Sequence, residues 1–78
     1  RDMRVEFLAK LYFFRTLKLD GLEELLEAQK GVCRERLDRL ARRAASRQDP
    51  FERMVDAFRR RRIEAALDWL ELVEREWA

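Results

Sequence analysis

The chain has 78 residues, 47% of them hydrophobic and 44% charged, with two glycines, one proline and no histidine. Such a length supports one domain whose core hides only about 60% of the unfolded chain's surface, while the hydrophobic content excludes a disordered chain and the many charges with so few Gly and Pro favour helices with charged outer faces. Eighteen Lys and Arg against 16 Asp and Glu leave a net charge of +2, which argues against a dedicated nucleic-acid surface.

One cysteine, Cys33, rules out an internal disulfide and fits a reducing, cytoplasmic setting. No apolar run approaches the roughly 20 residues that span a bilayer, so no membrane association is expected. Residues 1–16 mix charges into their apolar positions and carry no small-residue cleavage site, unlike a signal peptide. Since the first residue is Arg and not Met, the sequence reads as a piece of a longer protein.

The first predicted helix runs from Asp2 to about Thr16, with Val5, Leu8, Ala9, Leu11 and Tyr12 followed by Phe13 and Phe14. Adjacent Phe residues point about 100° apart, so this helix has a wide apolar face and is expected to be sandwiched between elements of one subunit or of two. Leu17, Lys18 and Leu19 connect it to Asp20-Gly21-Leu22-Glu23, whose D-x-x-E spacing predicts a capped helix start. In this second helix, extending to Arg47, Leu26, Cys33 and Leu40 stand seven apart, as in an antiparallel helical pair. Gly31 inside it marks a bend, a close helix crossing or a glycine tolerated because packing holds the helix.

Ser46, Arg47 and Gln48 form the only plausible turn before Asp49-Pro50-Phe51-Glu52. There Asp49 can cap the first turn, Pro50 suits the first helical position and Glu52 completes a capping box. From Pro50 to Trp77 nothing interrupts the helix, which would extend about 40 Å. The short turn predicts an antiparallel hairpin of the two long helices, with the first helix beside or across it. The fold class is therefore all-α.

Catalysis and metal binding find little material. There is no His, the lone Cys33 thiol sits on an apolar stripe and reads as a small core residue, and no Gly-rich phosphate loop is present. Glu23 with Glu27 and Glu71 with Glu74 lie at helical spacing, which marks solvated faces and not acid–base pairs. The chain is thus expected to be no enzyme and to hold no cofactor and no metal. The run Arg59-Arg60-Arg61-Arg62 surrounds its helix instead of forming one stripe, so ion pairs with acids such as Asp56, Glu64 and those of neighbouring helices are favoured over phosphate contacts. Arg62, between Phe58 and Ala66, falls on an apolar face and is expected to be buried or interfacial. Trp69 and Trp77 read as core or interface anchors, or, for Trp69, as one wall of a cavity with Tyr12, Phe13 and Phe14 that takes a flat aromatic effector.

Three features stand together: Phe7-Leu8-Ala9-Lys10-Leu11-Tyr12-Phe13-Phe14, a long middle helix rich in Leu, Glu and Arg, and Asp49-Pro50-Phe51 followed by Glu64-Ala65-Ala66-Leu67-Asp68-Trp69-Leu70. In this combination, which covers essentially all of the chain, the sequence resembles the C-terminal α-helical domain of PadR-family transcriptional regulators, of the type also found in virulence-gene activators. The resemblance implies a homodimerisation module. In such regulators DNA is read by an N-terminal winged helix-turn-helix domain, which this sequence does not contain, and the C-terminal helices of two subunits pack together.

Faces too broad for one small core lead to the same expectation, a dimeric helical assembly with Phe51, Phe58, Arg62, Leu70, Val73 and Trp77 at the subunit interface. Two other classes of function compete with it. A helical adaptor would receive a heterologous partner helix on its exposed apolar face. A nucleic-acid binder would use the arginine run.

Overall fold

The computed structural model describes residues 5–46 and 48–77, which form three helices, α1 (Val5–Thr16), α2 (Leu22–Ala44) and α3 (Pro50–Trp77), and among the described residues no strand. Residues 2–4, expected in the first helix, and Arg47, expected in the turn, lie outside the described residues. The start of α3 is the one its sequence dictates. Glu52 N–H donates to Asp49 Oδ2 at 3.0 Å, and Arg53 N–H donates to the Asp49 carbonyl at 3.0 Å. At its other end the connection is closed by Ser46, whose amide (3.2 Å) and hydroxyl (3.1 Å) both donate to the carbonyl of Arg43.

The start of α2 differs from expectation. Asp20 does not cap it; the capping position is Gly21, at φ 97°, and no side chain caps the helix. The cause lies upstream, where α1 ends in a Schellman turn: Leu19 N–H donates to the Phe14 carbonyl (3.0 Å) and Lys18 N–H to the Arg15 carbonyl (3.3 Å). The chain then reverses within a few residues through two left-handed positions, Lys18 (φ 53°) and Gly21. This puts Asp20 one position before the cap.

Helices α2 and α3 pack antiparallel. The heptad positions Leu26, Cys33 and Leu40 of α2 are all buried; Leu26 and Cys33 share a core cluster with Leu70 and Val73 of α3, with Ile63, Ala66 and Leu67 partly buried alongside, and Leu40 lies nearer the connection, beside Ile63 and Ala66. Helix α1 docks on this pair through Phe7 and Leu11, one turn apart. Three of its apolar side chains stay outside: Leu8, Tyr12 and Phe13 are each more than half exposed. Within the subunit, then, α1 is covered on one side and not sandwiched. Gly31 is neither a bend nor a crossing point, since α2 continues through it and a Cβ there would meet nothing within 4 Å.

Two charged contacts lie on the buried seam. The Lys30 ammonium, buried between the helices, donates to Glu74 Oε1 of α3 at 2.7 Å and reaches Glu27 Oε2 of its own helix at 2.8 Å. The two glutamates are therefore not merely solvated, as their spacing suggested. Some 13 residues on, or about 20 Å along α2, Arg43 Nη2 lies 3.7 Å from Oδ1 of the buried Asp56 of α3. Hydrogen bonds to Glu27 and then Glu74 hold the Lys30 ammonium above its ordinary pKa, although burial acts against them, and the hydrogen bond from Lys30 holds Glu27 below its own. Burial pushes the Cys33 thiol up.

These shifts fix the sign of the pH dependence. Glu27 is lowered, so its contribution is complete above the unfolded carboxylate value of about 4.3 and disappears as pH falls through the folded value. Lys30 and Cys33 are raised, so their contributions are complete below the unfolded values of about 10.4 and 8.5 and disappear as pH rises through the folded ones. The melting temperature should therefore fall below about pH 4 and again in the alkaline range, and Glu27→Gln should flatten the acid limb in thermal melts followed by circular dichroism. In urea titrations, Gly31→Ala should add about 0.5–1 kcal/mol of stability. Leu70→Ala, in the core, should remove about 2–5 kcal/mol.

Candidate functional site

The fold leaves a particular set of apolar side chains in solvent. On the first half of α3, Phe51 (73% exposed), Met54 (69%) and Phe58 (63%) follow one another at three- and four-residue steps and share a face. This face lies about a third of a turn round the helix from Leu70, so the same helix buries one stripe in its subunit and presents another outward. On α1 the outward set is Leu8, Tyr12 and Phe13, with the Tyr12 and Phe13 rings edge to face at 5.6 Å and 72°.

The residues expected at a subunit interface therefore divide. Phe51 and Phe58 are exposed, and Trp77 is 41% exposed. Leu70 (0%) and Val73 (5%) are enclosed by their own subunit's core and have almost no surface to offer a second chain. Arg62 is not buried in the subunit. It is exposed, and its guanidinium carbon lies 5.7 Å from the centre of the Phe58 ring, at the border between the exposed face of α3 and a groove on the side toward α2. Met54 belongs with Phe51 and Phe58, and its position midway between them on one stripe is the signal that identifies it.

Of the four residues expected around an aromatic ligand, the structure brings Tyr12 and Trp69 together. They line a cleft of about 340 Å³ between α1 and the end of α3, with Leu8, Leu11 and Trp77 completing the apolar wall. Phe13 stands outside this cleft, and Phe14 faces another, beside Leu19 and Gly21. Arg15 closes the tryptophan side, its guanidinium carbon 4.7 Å from the Trp77 ring, and this contact ties the end of α1 to the end of α3. Arg15 and Thr16 complete the lining, beside the hydroxyl-bearing ring of Tyr12 and the two indoles.

The arginine run also divides. Arg59 and Arg62 turn toward α2 and line a groove with Arg36, Arg39 and Arg43, whereas Arg60 and Arg61 are exposed elsewhere. Asp56, expected to pair with the run, lies 3.7 Å from Arg43 of α2. No described helix is long and apolar enough to cross a membrane.

Comparison with known proteins gives one result. Residues 3–77 match the family described as virulence activator alpha C-term. No curated protein and no solved structure matches the chain.

The Arg15–Trp77 contact gives a direct test of the α1 docking geometry. In a Trp69→Phe background, Arg15→Ala should shift Trp77 emission to the red and lower stability by about 0.5–1 kcal/mol, the usual worth of an exposed cation–π contact.

Proposed function

Because the chain belongs to the virulence activator alpha C-terminal family, we propose that it is the homodimerisation domain of a PadR-like transcriptional regulator. A winged helix-turn-helix domain outside this sequence reads the DNA in this scheme, and the helical domain sets the spacing of the two reading heads. The observation that carries the proposal is the continuous stripe of Phe51, Met54 and Phe58, whose side chains are more than three-fifths exposed on a helix that already buries another stripe in its own subunit. Monomeric proteins seldom leave such contiguous apolar faces in water.

The surface area supports the same reading. A compact monomer of 9.5 kDa exposes about 5,000 Å², whereas this chain exposes 6186 Å². The difference exceeds the roughly 800 Å² that each partner contributes to a standard interface. In this reading Phe51, Met54 and Phe58, with Arg62 at the rim, form the contact on α3, and the outward face of α1 adds to it. A flat aromatic effector would occupy the cleft between Tyr12 and Trp69, where it bridges α1 to α3.

Sedimentation velocity at micromolar concentration should show a dimer. Phe51→Ser with Phe58→Ser should weaken it at least about tenfold, or ~1.4 kcal/mol, and leave the helical circular dichroism unchanged, because neither side chain contributes to the subunit core. A parent chain that stays monomeric throughout this range would remove the proposal.

A further inference from the structure

Between α2 and α3, on the side toward their connection, lies a groove of about 480 Å³, within the range of small-molecule sites. Its floor is apolar, made of Cys33, Leu40, Ile63 and Ala66. Its walls are cationic. Arg36, Arg39 and Arg43 stand on α2 at three- and four-residue steps, and Arg59 and Arg62 stand on α3 three residues apart, so each helix turns a row of guanidinium groups to the same space. Gln29 is the other polar residue of the lining, and no carboxylate is among the described residues that line it.

A structural explanation accounts for part of this arrangement. Arg39 meets Glu35 of its own helix at 3.0 Å, with both side chains more than half exposed, and Arg43 meets Asp56 at 3.7 Å. These acids lie outside the lining, however, and exposed pairs of the first kind are worth at most about 1 kcal/mol, little resistance to a competing anion. Guanidinium groups offer planar paired donors that match carboxylate and phosphate oxygens, while Leu40, Ile63 and Ala66 offer nothing to a fully hydrated ion. The occupant that satisfies both surfaces is charged at one end and apolar at the other.

We propose that the α2–α3 groove binds an amphiphilic anion, with a carboxylate or phosphate head held between the arginine rows of the two helices and an apolar body on Leu40, Ile63 and Ala66. The inference does not depend on self-association: calorimetry reads the groove, and sedimentation of the same samples reads the assembly.

Isothermal titration of the full chain with octyl phosphate, octanoate, octanol and inorganic phosphate tests it. Octyl phosphate and octanoate, kept below their aggregation limits, should give saturable binding, and octanol and inorganic phosphate should bind at least about tenfold more weakly. Arg39→Gln with Arg59→Gln, one from each wall and both at exposed positions, should weaken octyl phosphate at least tenfold while circular dichroism stays that of the parent. Equal binding of octanol would overturn the proposal by making the site merely apolar, and equal binding of inorganic phosphate would do so by making it merely charged. The double variant binding like the parent would place the ligand elsewhere. Co-sedimentation with vesicles containing phosphatidate, without saturable octyl phosphate binding, would assign the arginines to a membrane surface instead.

Discussion

The arrangement of this small protein depends on the register between its two long helices, and that register is held at two points. Lys30 with Glu74 lies toward one end of the seam and Arg43 with Asp56 toward the other, with Leu26, Cys33, Leu40 and Leu70 among the apolar residues of the same seam. An apolar seam alone tolerates sliding, since Leu on Leu is much the same one turn up or down. A slide of one turn, about 5.4 Å, would part the buried Lys30 ammonium from Glu74, leaving it only Glu27 of its own helix, and part the buried Asp56 carboxylate from Arg43, and losing such contacts at buried charges is costly. Charged groups in such positions add less to stability than well-packed apolar residues would, and more to the uniqueness of the arrangement.

A hairpin fixed in this way is long and thin. Its extents are 49 × 18 × 18 Å and its radius of gyration is 14.9 Å, against roughly 11.5 Å for a compact domain of this length. Two helices side by side can each cover only one flank, and a 12-residue third helix covers a fraction of what remains. The exposed stripes on α1 and α3 are thus a geometric consequence of building a domain from so few elements. They are also what links the fold to the proposed assembly, because a second copy supplies the layer that the chain lacks.

Much of this fold was legible from local chemistry. The Asp49-Pro50-Phe51-Glu52 cap specified where α3 begins, and the seven-residue spacing of Leu26, Cys33 and Leu40 specified the buried stripe of α2, since both signals need only neighbours a few residues away. Lys30 and Asp56 were not legible as seam residues. A charged residue in a charged helix reads as solvated, and the glutamate that makes Lys30 a buried group lies 44 positions further on. Gly21 illustrates the same limit at a cap: the D-x-x-E spacing pointed to Asp20, but the left-handed turn at Lys18 determined where the helix could start. For the candidate site, periodicity identified Phe51, Phe58, Leu70 and Val73 equally as apolar helix positions. It could not tell which of them the chain's own helices would cover, because that depends on the angular position of α2 around α3.

The antiparallel hairpin has one further effect, on how charge is distributed in space. In α2 the acids Glu23, Glu24 and Glu27 outweigh Lys30 in the first part, and Arg34, Arg36, Arg39, Arg42 and Arg43 outnumber Glu35 and Asp38 in the second; in α3 the balance is reversed, with Arg53 and Arg59 to Arg62 outnumbering Glu52 and Asp56 before Glu64, Asp68, Glu71, Glu74 and Glu76 outnumber Arg75. Laid side by side in opposite senses, the basic halves coincide at the connection and the acidic halves at the far end. The backbone macrodipoles of the two helices oppose one another and largely cancel, so the side chains set the external field. A net charge of only +2 therefore conceals an electrically polar rod, positive at the hairpin bend and negative at its open end. Two such rods attract when they lie in opposite directions and repel when they lie in the same one, with a strength that fades as salt shortens the screening length below about 10 Å.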